Sequence, residues 1–149
     1  MDQPETIHFY SVAAPFGEFS NFARYPIRLK GKTWPTSEHY FQAQKFAGKP
    51  HELVIQKAPT PMKAAELGRS RRERIDPSWD KKKGQVMMDA LRAKFTQHAD
   101  LKELLLSTGN AILVEHTEND DYWGDGGDGS GKNRLGKLLM QLREELRRG

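Results

Sequence analysis

Residues 34–46 read Trp-Pro-Thr-Ser-Glu-His-Tyr-Phe-Gln-Ala-Gln-Lys-Phe and combine a helix start with a dense group of aromatic residues. Thr36 suits a helix N-cap, because its side-chain oxygen can accept a hydrogen bond from a backbone N–H of the first turn. Gly48 suits the position just after a helix, where a left-handed backbone is common. The stretch therefore predicts a helix that runs from Thr36 to about Ala47.

Three polar residues of this helix are predicted to share one face. Glu38, Gln42 and Lys45 are spaced close to whole helical turns, whereas Tyr40 and Ala43 fall on the opposite, apolar face. A carboxylate, an amide and an amine aligned in this way could grip a polar ligand. Periodicity alone favours a plain surface stripe, and the density of aromatic residues around it is what points to a binding site.

Short strands and further helices are predicted on both sides of this helix. Strands are predicted over residues 6–11, 25–29, 32–34 and 111–116, the second and third of them as a hairpin. Helices are predicted from Thr60-Pro61 to about Gly68, from Asp76-Pro77 to about His98, over 100–106, and after a cap at Asn133. The strands do not alternate regularly with helices, which argues against a parallel doubly wound sheet. We expect residues 1–149 to form a single α+β domain, mostly helical, around a small and mainly antiparallel sheet.

Composition excludes several classes of protein. The 149 residues include no cysteine, so disulfides, thiolate metal sites and a cysteine nucleophile are excluded. The five histidines show no metal-binding spacing, and we expect neither a metal nor a cofactor. The polar, acidic start does not look like a signal peptide, and no apolar run approaches membrane-spanning length. These features favour a cytoplasmic protein without membrane contact.

The net charge of +4 is unevenly distributed. Residues 69–74 and 81–83 are basic, whereas residues 118–128 contain five acids and no base. Basic runs are ordinarily solvated helix ends. The alternative is that they attract a phosphate-bearing ligand or nucleic acid, and charge alone leaves both interpretations open.

A glycine-rich segment, with five glycines in residues 124–131, precedes the last predicted helix. Its resemblance to a phosphate-binding loop of ATPases fails because Asn133 stands where a magnesium-binding Ser or Thr belongs. Two interpretations remain: a flexible connector, or a loop whose unpaired backbone N–H groups bind one phosphate at the helix start. Trp123 favours the second, because a large aromatic among glycines is typical of a lid that covers a ligand.

Four stretches resemble the YbiA-like branch of the NADAR superfamily. They are residues 19–22, 34–46, 90–95 and 115–136, and the resemblance extends from about residue 9 to residue 146. It is weakest over residues 49–59, which we expect to be variable surface. The resemblance implies a fold of the NADAR/YbiA type.

The resemblance also implies a hydrolase, an N-glycosidase. In this branch the expected substrates are ribosylamino-pyrimidine 5′-phosphates, unstable intermediates of riboflavin synthesis, and the products are ribose 5-phosphate and a free heterocycle. Two alternatives stay open: removal of ADP-ribose from guanine in modified nucleic acid, and binding of ADP-ribose or NAD without turnover. The expected partner is thus a small phosphorylated ribosyl compound, with ADP-ribosylated nucleic acid second and no obligate protein partner.

Candidate roles follow from this chemistry. Cleavage passes through an oxocarbenium-like state that a carboxylate near C1′ stabilises, and Glu38 is the first candidate, with Asp125 second. Lys45 is expected to protonate the departing base, hold the phosphate or form an imine with the opened ribose. Expected substrate-binding residues are Trp34 and Trp123, which would stack the heterocycle; Ser20, Asn21 and Gln42, which would take polar groups; Gly124; and Arg69, Lys132 and Asn133, which would take phosphate.

Overall fold

A computed structural model describes residues 4–149. The chain divides into two compact units, Met1–Ser20 with His98–Gly149 and Asn21–Gln97. We call them the terminal unit and the central unit and describe each by itself. The expected single domain over residues 1–149 stays a prediction.

Four short strands and six helices make up the described chain. The strands are β1 (Thr6–Phe9), β2 (Ile27–Leu29), β3 (Lys32–Trp34) and β4 (Ile112–Glu115). The helices are α1 (Ser37–Ala43), α2 (Pro50–Gln56), α3 (Pro61–Gly68), α4 (Trp79–Gln97), α5 (Ala99–Ser107) and α6 (Arg134–Arg148), with 3₁₀ turns at Gly17–Phe19 and Gln44–Phe46. The mostly helical α+β class is confirmed.

The strands form two separate pairs. In the central unit β2 and β3 make an antiparallel hairpin with Ile27 opposite Trp34, as the sequence predicts. In the terminal unit β1 and β4 pair in parallel, with Thr6 opposite Ile112, where we expected mainly antiparallel pairing. Parallel pairing needs a long connection between the two strands, and most of the chain lies between β1 and β4.

Helix α1 is the centre of the central unit. All seven of its residues are buried, and it packs against α2, α3 and α4. Its apolar side meets β3, where the Trp34 and Tyr40 rings lie 5.3 Å apart in an edge-to-face contact. The Thr36 side chain accepts a hydrogen bond from the His39 N–H at 3.1 Å, so the predicted cap is confirmed.

The segment after α1 departs from the prediction. The α-helix ends at Ala43 and tightens into a 3₁₀ turn before Gly48, which has a φ of 81°. Residues 49–59, expected to be variable surface, contain α2, whose Glu52 and Ile55 are buried. Pro50 occupies the first turn of α2 as Pro61 does in α3, so the helix-start signal was present.

The terminal unit is organised around α6. The leucines that face inward are Leu135, Leu138, Leu139 and Leu142. The predicted cap by Asn133 is wrong: its side chain makes no capping bond. Instead Asn133 Oδ1 accepts the Glu115 N–H at 3.0 Å, and Asn133 Nδ2 donates to the Leu113 carbonyl at 2.9 Å. Asn133 therefore attaches the start of α6 to β4.

No helix within residues 4–149 has the length and apolar character needed to cross a membrane.

We predict that Asn133→Asp destabilises the protein by about 1–3 kcal/mol, the usual cost of an unsatisfied buried polar group. Aspartate keeps the acceptor for the Glu115 N–H but places a second oxygen against the Leu113 carbonyl. Urea unfolding of the variant and the wild type measures the difference. Asn119→Asp is the control. The Asn119 side chain is exposed, and its Nδ2 donates a hydrogen bond to the Tyr10 hydroxyl. Equal stability of Asn133→Asp and wild type would contradict the attachment.

Candidate functional site

The polar row of α1 lies in the interior of the central unit. Glu38 is 9% exposed and Gln42 is 8% exposed. The Gln42 side-chain Nε2 donates to Glu38 Oε2 at 2.7 Å, which joins the two groups across one helical turn. Burial on this scale rules out the plain surface stripe that periodicity alone favours.

Lys45 extends the row by one further turn. It lies in the 3₁₀ turn after α1, is partly buried, and its Nζ donates to the Gly68 carbonyl at 3.3 Å. Burial lowers the pKa of Lys45; the Glu38 carboxylate opposes this shift, and the positive charges of Arg69 and Lys83 add to it. The Lys45 ammonium group is thus influenced by one carboxylate and two cations, and its amine is a weaker base than that of a free lysine.

Asn21 positions the start of α1. Its backbone carbonyl accepts the Glu38 N–H at 3.2 Å, and its side-chain Oδ1 accepts the Ser37 hydroxyl at 2.8 Å. The Asn21 Nδ2 points at Met87 Sδ, 3.4 Å away. The side chain expected to bind substrate is therefore engaged inside the protein, where it fixes the first turn that carries Glu38.

Trp34 does not fit the role of a stacking platform. Its side chain is fully buried, and its Nε1 donates to the Leu29 carbonyl at 3.1 Å. A ring enclosed on both faces by the core has no face for a heterocycle, so Trp34 is removed from the site. The reason is the hairpin, which turns the Trp34 ring inward onto Tyr40.

His39 and Arg69 differ from the residues of the row. His39 Nδ1 lies 2.8 Å from Thr36 Oγ1 and Nε2 lies 3.0 Å from the Ala58 carbonyl, so the imidazole is a packed structural group. Burial lowers its pKa; the bond to Ala58 opposes the shift and the charge of Arg24 adds to it. Arg69 follows α3 with its side chain exposed, and its phosphate role stays a prediction.

In the terminal unit Asp125 organises the glycine-rich loop. Its carboxylate accepts the Thr117 N–H at 3.1 Å and the Gly127 N–H at 2.8 Å, and Oδ2 lies 2.7 Å from His116 Nδ1. Burial opposes ionisation, but these bonds to His116, Gly127 and Thr117 outweigh it and lower the pKa of Asp125 to about 2. Both oxygens accept hydrogen bonds from the terminal unit, and the catalytic role expected of Asp125 stays a prediction.

Several backbone N–H groups of the loop and of the start of α6 already have acceptors within the described chain. The Gly129 and Gly131 N–H groups donate to the Asp125 carbonyl at 3.1 and 2.8 Å. At the start of α6 the Arg134 and Leu135 N–H groups donate to the carbonyls of residues 122 and 123, each at 3.0 Å. These four donors are therefore already paired, and the phosphate position expected at this helix start stays a prediction.

Four further residues expected to bind substrate lie in the terminal unit: Ser20, Trp123, Gly124 and Lys132. The Trp123 N–H donates to Asp120 Oδ1 at 2.8 Å and the ring is half-buried against Tyr122, so closure of a backbone lid would break that bond. Gly124 is buried, and a side chain there would meet the Asp120 carbonyl at 2.8 Å. Lys132 Nζ lies 5.7 Å from the centre of the Tyr122 ring, and Ser20 is buried. Binding roles for these four residues stay predictions.

The sequence did not point to Gly68 as a residue that contacts both Gln42 and Lys45. Its carbonyl oxygen accepts a hydrogen bond from Lys45 Nζ, and a side chain at residue 68 would collide with the Gln42 amide. The only available signal was a glycine at the predicted end of α3. Among the described residues, no group of three or more metal-ligating side chains is close enough to hold a metal ion.

Comparison with known proteins gives consistent results. The NADAR domain model matches residues 8–147. The N-glycosidase YbiA of Escherichia coli (strain K12) is 59% identical over 144 residues, which cover 97% of this chain and 90% of that protein. The NMR structure of E. coli YbiA superimposes with a TM-score of 0.90 at 58% identity, covering 99% of this chain and 88% of that one. A riboflavin biosynthesis protein of Vibrio vulnificus (strain YJ016) is 40% identical over 146 residues, covering 98% of this chain but 39% of that protein.

We predict that Asp125→Ala destabilises the protein by about 1–3 kcal/mol for each buried N–H that loses its acceptor. Because the pKa of Asp125 in the folded protein lies below that of an unfolded chain, its contribution is present at neutral pH and is lost as the pH falls toward 2. The difference in unfolding free energy between variant and wild type should therefore narrow in acid.

Asp128→Ala is the matched control for this measurement. The Asp128 carboxylate accepts the N–H and hydroxyl of Ser130 in an exposed turn, so its removal should change stability little. A destabilisation by Asp128→Ala as large as that by Asp125→Ala would remove the distinction between the two carboxylates.

Proposed function

Because the chain belongs to the NADAR domain family and is a hydrolase of N-glycosyl compounds, we propose that it cleaves the C1′–N bond of ribosylamino-pyrimidine 5′-phosphates. The products are ribose 5-phosphate and the free heterocycle. The name of the Vibrio vulnificus relative, a riboflavin biosynthesis protein, supports this substrate class. Turnover of such metabolic intermediates fits an enzyme of the cytoplasm.

One observation carries the proposal: a buried carboxylate and a buried amide, 2.7 Å apart, with a partly buried lysine on the following turn. Buried polar groups cost stability unless they are paired, so two buried polar groups on α1 with a partly buried lysine on the next turn favour a functional role for the row. Each group has a step to perform in N-glycoside hydrolysis.

Glu38 acts at C1′ of the ribose. As the bond to nitrogen breaks, positive charge develops on C1′ and the ring oxygen, and a carboxylate beside that carbon stabilises it. The same carboxylate takes a proton from the water that attacks C1′. The hydrogen bond from Gln42 orients the carboxylate for both steps.

Lys45 acts on the leaving group. The departing nitrogen needs a proton, and an ammonium group whose pKa is lowered by burial is a stronger acid than an ordinary lysine. After transfer the amine recovers its proton from solvent. Lys45 is held toward the row by its bond to the Gly68 carbonyl.

The direct test incubates the protein with the two ribosylamino-pyrimidine phosphates and, separately, with ADP-ribosylated guanosine. Mass spectrometry follows the release of ribose 5-phosphate and of ADP-ribose. Ribose 5-phosphate from the pyrimidine compounds is the expected product. Tight binding of any of these compounds without product over hours would instead identify a binding module.

A second candidate is the removal of ADP-ribose from guanine in nucleic acid. The observation in its favour is the exposed arginine run that directly follows Gly68: Arg69, Arg71, Arg72 and Arg74. Exposed cations attract the phosphate backbone of nucleic acid in a salt-dependent manner. Release of ADP-ribose from modified DNA, weakened by added salt, would place this reaction first.

We predict that Glu38→Gln lowers kcat by roughly 10²–10⁴-fold, the usual effect of losing one positioned acid–base group. Glutamine is close in size, so the fold and the contact with Gln42 can persist. Glu52→Gln is the matched control: it also removes a buried carboxylate of the central unit, one that accepts a hydrogen bond from Gln44 in the 3₁₀ turn after α1. Activity of Glu38→Gln within threefold of the wild type would remove Glu38 from the mechanism.

We predict that kcat of the wild type falls on the alkaline side with a midpoint below the ordinary lysine value of about 10.4. The reason is that burial lowers the pKa of Lys45 and the protonated form is the one that donates. Lys45→Arg should lose most activity, because a guanidinium does not give up its proton in the accessible range. The exposed residue Lys57, changed to Arg, serves as control.

The competing role for Lys45 gives a different result. If its amine condenses with the aldehyde of opened ribose 5-phosphate and releases water, borohydride reduction of the imine leaves a stable adduct on Lys45. Mass spectrometric detection of that adduct would refute the proton-donor role.

A further inference from the structure

Only the nitrogen of the Gln42 side-chain amide makes a hydrogen bond within the described residues. Its Nε2 donates to Glu38 Oε2, whereas its Oε1 is buried and has no hydrogen-bond partner among residues 4–149. The orientation is fixed, since a flipped amide would place Oε1 against the Glu38 carboxylate. A buried acceptor without a donor lowers the stability of the folded protein, so Gln42 Oε1 is kept unpaired although this is unfavourable.

Gly68 makes this arrangement possible. A Cβ built at residue 68 would collide with the Gln42 Oε1 and would come within 2.8 Å of Cδ and 2.9 Å of Cβ of the same side chain. Any other residue at the end of α3 would therefore push the amide away from its position. Gly84 in α4 provides the contrast, because nothing lies within 4 Å of a Cβ built there.

We propose that the Gln42 Oε1 accepts a hydrogen bond from the ribose 2′-hydroxyl of the substrate, so that Gln42 selects ribosyl over 2′-deoxyribosyl compounds. The inference rests on the proposed function, which places Glu38 beside C1′. Because the two ends of one amide are close together, an acceptor on the group that bonds Glu38 lies near the carbon next to C1′. The 2′-hydroxyl is the donor attached to that carbon.

The same contact contributes to the reaction as well as to selection. Hydrogen bonds to the hydroxyl next to the reacting carbon strengthen as charge develops in the transition state of glycoside hydrolysis. A site built to bond a substrate hydroxyl also rejects an analogue without it, since its buried polar group is then left unpaired. Gln42 thus orients Glu38 through its nitrogen and the sugar through its oxygen.

The test measures binding of ribose 5-phosphate and 2-deoxyribose 5-phosphate by calorimetry at millimolar concentrations. We expect the wild type to bind ribose 5-phosphate roughly 3- to 10-fold more tightly, the effect of one net hydrogen bond. Gln42→Met keeps the length of the side chain without the amide and should bind both sugars equally. Gly68→Ala should lose the preference too, because it displaces the amide, while Gly84→Ala should retain it.

The outcomes separate this inference from the function on which it rests. Equal binding of the two sugars by the wild type, or a preference that persists in Gln42→Met, would overturn the role of Gln42 while leaving the proposed function intact. Binding of neither sugar phosphate by the wild type, together with no release of ribose 5-phosphate, would overturn the proposed function and this inference with it.

Discussion

The complete burial of α1 is the constraint on which the central unit depends. A helix enclosed on all sides is ordinarily apolar all round, but α1 carries Glu38 and Gln42 into the interior. Buried polar groups must find partners, and the surroundings of α1 are arranged to provide them. Asn21 satisfies the first turn, the two side chains bond each other, and Gly68 leaves space for the amide.

The same burial supports the chemistry that we propose for this row. Charges act more strongly on each other where water is excluded. Burial lowers the pKa of Lys45 although Glu38, one carboxylate on the same face, opposes the shift. In the proposed mechanism Glu38 on α1 is the base and Lys45 in the following 3₁₀ turn is the acid, and a site on rigid elements holds its geometry better than one on loops.

Sequence reasoning recovered the features that depend on local rules. The Thr36 cap, the hairpin at β2 and β3, and the shared face of Glu38, Gln42 and Lys45 all follow from spacing and residue type. It failed where tertiary contacts decide. Whether an aromatic ring stacks on a ligand or on the core depends on its neighbours, and the Trp34 ring packs against Tyr40. The importance of Gly68 was equally hidden, because it comes from the missing side chain at residue 68, which leaves space for Gln42 on α1.

The glycine-rich loop shows how composition misleads when one side chain reorganises a segment. Five glycines in residues 124–131 indicate a mobile, donor-rich loop, yet Asp125 gathers those donors onto its own carboxylate and carbonyl. The glycines are needed for another reason: Gly126, Gly127 and Gly129 have positive φ, which lets the chain curl around one carboxylate. The Asp125 residue thus accepts the backbone N–H groups that a bound phosphate would otherwise use. Among the acids of residues 118–128, Asp125 is therefore part of the scaffold of the terminal unit.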